Sequence, residues 1–417
     1  MSSCKKREAF VEEVAVAPVT PIVAPPAATT PPLIVPAYEV GKGSGDLTID
    51  GASFDFSTIK LVKIKAGRYN TIYIKNISGT QDAPIIIKNN GQVIITGGME
   101  TDNIINTYIS GDNNLEIKYG FSFENIAFRA IKMSNRIAGV TLKSLSFKNV
   151  SDYCIAGERS NADIPYDGSE NTRNERFKIL NCLFDNTGSI VFNGSLNKDN
   201  SQDVGLFKDI EIAFNQFQNT NAGALCVFTN IQDYNIHHNV VNNVNQTNNN
   251  HNGIFYMQGN GIFHHNKLTN FQGNAIRMWV YSRGSSPATV EIYNNVCYNT
   301  RKYGGFEIQG FDRNLYPGKT TFVNAKVYNN TVGHMNTSKD WEGQILDLYN
   351  YRGTLEFYNN LGFDLYHSGL PVLNMINNMS DTKIISEQNN RYFASQLDAV
   401  TDLESFLSKV TGIGASL

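Results

Sequence analysis

Three charged residues recur at one place in a repeating pattern: Arg277 in AIRMWV (275–280), Glu307 in GFEIQG (305–310) and Asp347 in ILDLYN (345–350). If Ile276, Met278, Phe306, Ile308, Leu346 and Leu348 point inward from short strands, alternation turns the charged residues outward. Neighbouring strands then set them about 4.8 Å apart. With GIFYMQ (253–258) and VLNMIN (372–377) included, the outward positions form two columns: Phe255, Arg277, Glu307, Asp347, Asn374 and Met257, Trp279, Gln309, Tyr349, Ile376. A charged column beside an aromatic and amide column suits a sugar groove, because ring faces stack on pyranose C–H surfaces while polar groups bond hydroxyls. Two carboxylates on adjacent strands can share acid and base roles in glycoside hydrolysis, or hold Ca²⁺. Arg277 can neutralise a uronate carboxylate and so ease proton abstraction at C5. The plainer alternative is a solvated face whose Arg277–Glu307 pair contributes about a few tenths of a kcal/mol.

Flanking loops add candidates. Tyr281 and Arg283 follow the Arg277 strand, Asp312 and Arg313 follow the Glu307 strand, and Asp340, Trp341 and Glu342 precede the Asp347 strand. His251 is the histidine best placed to act as a base, set against its simpler reading as a turn residue in an Asn-rich loop. Arg277, Glu307, Asp347 and His251 are thus the catalytic candidates, with Trp279, Gln309, Tyr349, Arg283, Arg313 and Trp341 as substrate contacts. His237, His238, His264 and His265 form pairs on consecutive repeats, which invites a metal site. Adjacent strand residues face opposite ways, however, so a structural ladder is the better reading. The loops 156–176 and 193–205 carry Glu158, Asp163, Asp167, Glu170, Asp199 and Asp203, a rim that could hold Ca²⁺ though its spacing matches no calcium loop.

The elements that must position these groups are repeats. ILNCLFDN (179–186), IAFNQFQN (212–219), IHHNVVNN (236–243), FHHNKLTN (263–270), IYNNVCYN (292–299), VYNNTVGH (327–334) and FYNNLGFD (357–364) align, and FENIAFRA (123–130) and LKSLSFKN (142–149) extend the series. The fourth position is Asn in six successive copies: Asn215, Asn239, Asn266, Asn295, Asn330 and Asn360. A short strand, a turn Asn, a second strand and a variable loop describe one turn of a β-solenoid, with stacked asparagines satisfying the corner. Leucine-rich repeats and propeller blades would need spacings that are missing.

The chain has 417 residues and a net charge of −3, with 18% charged residues. No basic stripe argues for nucleic acid, and no apolar run is long enough to cross a membrane. The cysteines at 154, 182, 226 and 297 sit in strand-like runs and read as buried free thiols. Residues 11–37 hold seven of the twelve prolines, a composition that makes a semi-rigid tether of about 3.1 Å per residue. Residues 395–413 repeat Leu397, Val400, Leu403, Leu407 and Val410 at helical spacing, which predicts a helix covering the last repeat.

Two resemblances follow. Ser2-Ser3-Cys4-Lys5-Lys6 ahead of the tether resembles the cleavage region of bacterial lipoproteins, which implies a lipidated Cys4 and a surface or periplasmic protein of a Gram-negative cell. The apolar segment that would precede it is replaced by Met1. From about 45 to 395, the repeats and the opening IKAGRYNTIYIKNISGTQDAPIIIKNNGQVIITGG (64–98) resemble the pectate-lyase-like superfamily of right-handed parallel β-helices. That resemblance implies an all-β, right-handed parallel β-helix solenoid over 38–394. It lies between a lipoprotein-like start (1–10), the linker (11–37), and a C-terminal capping helix and tail (395–417). It also implies work on an acidic or complex polysaccharide as lyase or hydrolase, the alternative being a glycan-binding or adhesive scaffold. The layout is similar to that of alginate lyases and chondroitinase B, but one of their two Ca²⁺ glutamates is replaced by Gly305, and Asp312 stands near the place of their lysine base. Polygalacturonase signatures are absent. The expected partners are a polysaccharide or oligosaccharide, with the membrane reached only through a lipid anchor and no nucleic acid bound.

Overall fold

The computed structural model describes residues 37–417 apart from 312, 369–374, 381 and 383. Cys4, the linker up to residue 36, Asp312 and Asn374 therefore lie outside the described residues. The body is all-β, with one 33-stranded sheet and two four-residue α-helices among the described residues. Strands pair in parallel with the equivalent strand one repeat later, an arrangement compatible with the expected solenoid. Alternation drives it, since every second side chain is apolar and turns into a shared interior. Phe123, Phe147, Phe184 and Phe217 stack in one such column, with successive ring centroids 4.8, 4.9 and 4.6 Å apart. The column also corrects one alignment. Phe123 pairs with Phe147 and Ile109 with Leu142, so FENIAFRA is out of step with the other copies. The true copy begins at Ile109 and is split by an insertion before Phe121.

Each repeat turns its corner in the same way. The third residue of the aligned copies is left-handed, as at His238, His265, Asn294, Asn329 and Asn359, with φ between 50° and 55°. The fourth is the buried asparagine. Asn215, Asn239, Asn266, Asn295, Asn330 and Asn360 are all 0% exposed. Asn239 Nδ2 donates to Asn266 Oδ1 (2.9 Å), which also accepts from the Asn239 backbone N–H (3.0 Å), and the pattern repeats through Asn390. A second asparagine column, Asn125, Asn149 and Asn186, then Asn219, Asn243, Asn270 and Asn299, runs along an exposed corner, also left-handed.

The histidine pairs are a stack, as the simpler reading holds. His237 lies on His264 at 4.8 Å and 8°, and His264 on Tyr293 at 4.8 Å and 2°, continuing through Tyr328 and Tyr358. Burial first, and then the neighbouring imidazoles, hold the His264 pKa down at about 4. The four described cysteines are buried free thiols.

The capping helix is not formed. Only Gln396–Ala399 is helical, and Leu397, Leu403 and Leu407 are exposed. Asp402 explains the stop: its carboxylate accepts from the backbone N–H groups of Glu404 and Ser405 and from the Ser405 hydroxyl, a turn that competes with helix. The segment instead runs as a strap along the flank of the sheet. Val400 and Ile413 pack with Leu361 and Phe363, Phe406 packs with Val296, and Lys267 Nζ donates to the Glu404 carbonyl at 2.6 Å. At the other end the described chain begins with the strands Ala37–Val40 and Ser44–Asp50. They pair with Leu61–Ser78 as the first rung.

Cutting the buried ladder should cost far more than cutting the exposed one. Asn266→Ala strips two donors on Asn239 of their acceptor and is expected to cost roughly 2–4 kcal/mol. Asn270→Gly, at an exposed position with φ of 54°, should stay within about 0.5 kcal/mol. Urea unfolding midpoints of the two variants check the contrast, and equal losses would refute it.

Candidate functional site

The strands Gly253–His264, Asn274–Val280, Phe306–Gly310 and Leu346–Tyr349 lie side by side in parallel. Arg277 pairs in register with Glu307 and Glu307 with Asp347, while Trp279, Gln309 and Tyr349 make the second column. Ile276, Met278, Phe306, Ile308, Leu346 and Leu348 are fully buried, as predicted. The ends of the columns are corrected. Phe255 and Met257 point into the core, and Tyr256 and Gln258 take their places beside Arg277 and Trp279. Gly253 stands opposite Asn274 and not Ala275, so the two runs pair one residue away from their sequence alignment, and apolar parity follows the true register. At the far end Asn377 and Met379 complete the columns, with Ile376 in the inward register.

A larger correction concerns exposure. Glu307 is 0% and Asp347 1% exposed, so neither faces solvent. Both lie beneath a cover assembled from loops. Gly304 makes the close approach possible, since a Cβ there would sit 2.8 Å from Asp347 Oδ2. Arg301 holds the Asn-rich loop that delivers His251, donating to the Gln246 carbonyl (2.8 Å) and Asn249 Oδ1 (2.7 Å). The Tyr303 ring lies flat on the His251 ring, centroids 4.0 Å apart at 9°.

The charges interlock under that cover. Arg277 Nε donates to Glu307 Oε1 at 2.6 Å, one terminal nitrogen to the His251 carbonyl at 2.9 Å, and the other to Gln309 Oε1 at 3.2 Å. The guanidinium sits 5.4 Å from the Trp279 ring centre. His251 Nε2 forms a hydrogen bond with Asn274 Oδ1 (3.0 Å) and lies 2.9 Å from Glu307 Oε2, in ion-pair range but out of hydrogen-bond alignment. Asn274, itself fully buried, donates to Asp347 Oδ2 at 3.3 Å. Burial first, and then the charges of Glu307 and Glu342, push the Asp347 pKa well above its ordinary value. The Tyr349 hydroxyl donates to Glu342 Oε1 at 3.2 Å, and burial with the nearby carboxylates raises its pKa too.

The groups that reach the surface are therefore His251 and Arg277, with side chains 26% and 18% exposed, while Glu307 grips both from behind. With Nε2 turned to Asn274 and Glu307, His251 offers Nδ1 as its free lone pair. Arg277 uses three of its five N–H donors and keeps two. Glu307 and Asp347 are thus covered, not the exposed acid and base that the columns suggested.

Other candidates are dispersed. Arg283 makes a two-point ion pair with Asp203 (2.8 Å to each oxygen) and donates to Asn230, so it ties loops together. Trp341 is exposed, with its ring 6.1 Å from Tyr303, and Arg313 is exposed above Phe311 at 5.5 Å. The acidic rim is neutralised or used locally: Glu158 by Arg129, Asp163 by Arg159, Glu170 by Arg173, and Asp167 in a Ser169–Thr172 turn. The residues present do not fit Ca²⁺. Among the described residues no group of three or more His, Cys, Asp or Glu is arranged for a metal, and Glu307 is already engaged by a guanidinium and an imidazole. Asn274, Tyr303 and Arg301 escaped the sequence reading. Arg301-Lys302-Tyr303-Gly304-Gly305 carries a signal, since an aromatic before paired glycines between strands marks a close backbone approach.

The raised pKa of Asp347 gives a test. Its folded pKa lies above its unfolded value, so the unfolded chain ionises first and stability falls as pH rises between the two. Asp347→Asn should therefore come closest to the wild type below about pH 4, where the carboxyl is protonated in both states, and melt at a higher temperature near about pH 8. Thermal melts at both pH values check this, and a variant less stable at the higher pH would show that the carboxylate is ionised in place.

The chain matches no protein-family model and no curated protein, so the function of this site has to be argued from its own residues.

Proposed function

We propose that the stacked repeats wind as a right-handed parallel β-helix of the pectate-lyase-like kind, and that the protein cleaves an acidic polysaccharide by β-elimination at His251 and Arg277. One observation carries the reading: a single buried carboxylate, Glu307, holds a half-buried guanidinium and an imidazole side by side at the same surface point. A lone surface ion pair needs no such cover. Elimination from a uronate needs this pair of groups. A cation must neutralise the sugar carboxylate to acidify C5–H, and a base near neutral pH must take that proton. Arg277 supplies the first through its two unused N–H groups. His251 Nδ1 supplies the second, with Glu307 stabilising the imidazolium that forms. The C5 proton passes to His251 Nδ1, a C4=C5 double bond forms as the bond from C4 to the glycosidic oxygen breaks, and the departing oxygen takes a proton from the imidazolium or from water. Trp279, Tyr349 and Trp341 offer ring surface for the sugars on either side.

Hydrolysis by Glu307 and Asp347 is less well supported, because both carboxylates are covered. The proposal extends to attachment at a Gram-negative surface, which rests on Cys4 and the proline-rich tether and would be lost from the membrane fraction in Cys4→Ser.

Purified protein incubated with polyuronates, glycosaminoglycans and neutral glycans should yield a product absorbing in the ultraviolet together with new reducing ends. His251→Asn should lower that rate by about 10²–10⁴-fold. Reducing ends without absorbance would replace elimination by hydrolysis. Binding without either signal would make the site a glycan-binding module.

A further inference from the structure

Where the strands Asn274–Val280, Phe306–Gly310 and Leu346–Tyr349 end, the surface opens into a groove of about 1090 Å³. Phe311, Arg313, Phe322, Arg352 and Met379 are among its lining residues. Two features distinguish it from an ordinary surface hollow. Phe322 and Met379 are left 45% and 52% exposed beside it, apolar surface that would otherwise be covered. The arginines are both exposed and form no ion pair among the described residues, whereas Arg277 and Arg283, on and just after the strand that leads to the groove, each form one. The described part of the groove thus sets two exposed guanidinium groups beside apolar surface.

It is also continuous with the His251–Arg277 centre. The Arg277 guanidinium stands 5.4 Å from the Trp279 ring, Trp279 meets Phe311 edge-on at 6.3 Å, and Arg313 stands 5.5 Å from Phe311. Cation, ring, ring and cation thus follow one another along a single track. Its wall is held in place rather than left to adapt. The Lys198 N–H donates to the Asn314 carbonyl and Asn314 Nδ2 to Asp199 Oδ1, both at 2.9 Å, and Ser282–Arg283 pairs with Thr320–Thr321. A wall fixed before binding spares the ligand that ordering cost.

We propose that this groove is a subsite for the anionic sugars of an acidic polysaccharide. Arg313 and Arg352 pair with carboxylate or sulfate groups, and Phe311 and Phe322 stack on the sugar rings. As a substrate-binding role this rests on the elimination reading, since the same polymer would extend from Arg277 along the track. As a binding site it stands alone, and the test separates the two.

Full-length protein would be titrated with polygalacturonate, dextran sulfate and neutral dextran at low and high salt. The wild type should bind at least one of the two polyanions about tenfold more tightly than dextran, with the preference shrinking as salt rises. The preferred polyanion identifies carboxylate or sulfate as the group read. Arg313→Gln/Arg352→Gln should lose about tenfold on the polyanion and nothing on dextran, with an unchanged melting temperature because both side chains are exposed. His251→Asn should keep wild-type polyanion affinity, so failure of the cleavage reading leaves this measurement intact. Equal affinity for polyanions and dextran, or a double variant that binds like the wild type, would overturn the subsite.

Discussion

Everything in the body depends on how a parallel repeat turns a corner without leaving its backbone unpaired. A sharp bend removes two or three peptide groups from the strand ladder, and burial makes each orphan cost about 1–3 kcal/mol. Asparagine meets both requirements at once, since it carries donor and acceptor on a short arm. At Asn239 the side chain donates to the Ile212 carbonyl one repeat back and to Asn266 Oδ1 one repeat forward, and Asn266 Oδ1 also takes the Asn239 backbone N–H. The preceding residue must be left-handed, which is why Asn and His recur there. Before the ladder begins, Cys182 holds the same corner position with its N–H bonded to Asn215 Oδ1. Fixed corners fix the register, and the register fixes which residue of each strand lies beside Arg277.

That register brings the site together, but the loops determine its chemistry. Parity alone would leave Glu307 and Asp347 on a wet face, where an ion pair with Arg277 would be weak. The loops that follow each asparagine strand close over them. Arg301 and Tyr303 carry His251 inward, and Gly304 lets the chain pass against Asp347. Removing water strengthens the interaction of Glu307 with the Arg277 guanidinium and makes it costly to break. The same dryness raises the Asp347 pKa. One covering event thus gives two carboxylates on adjacent strands different surroundings: Glu307 is gripped by Arg277 and lies against His251, while Asp347 has the Asn274 amide.

Periodic features could be read from the sequence and local exceptions could not. The asparagine positions, the inward aliphatic set, the free thiols and the Arg277–Glu307–Asp347 register all follow from alternation and recurrence, which survive any loop length. The misreadings share a cause, namely a break in period hidden by similar residues. FENIAFRA imitates the repeat because an insertion displaced the true copy, and GIFYMQ begins one residue early because Gly253 has no side chain to reveal its parity. The helical spacing at 397–410 is real, but Asp402 bonds its own backbone neighbours and ends the helix. Burial of the charged column could not be seen at all, since it depends on which loop residues meet in space.

The contrast with Glu175 gives the strongest reason to regard the site as functional. Glu175 is as buried as Asp347, at 2%, and the fold surrounds it with Arg136, Arg173 and Arg176, so that both oxygens are paired. That is how this protein buries a carboxylate for structure alone. Around His251 it does otherwise. Glu307 Oε2, Glu342 Oε2 and Asp347 Oδ1 are all buried without a hydrogen-bond donor, and they are the only carboxylate oxygens so left among the described residues. Their shared place is the one where an imidazole and a guanidinium reach the surface. A body that satisfies its corners repeat after repeat would gain stability by pairing these oxygens as well. Glu307 Oε2 has only the His251 imidazole, 2.9 Å away and out of hydrogen-bond alignment, and the other two have no donor, a cost for which the fold shows no structural return.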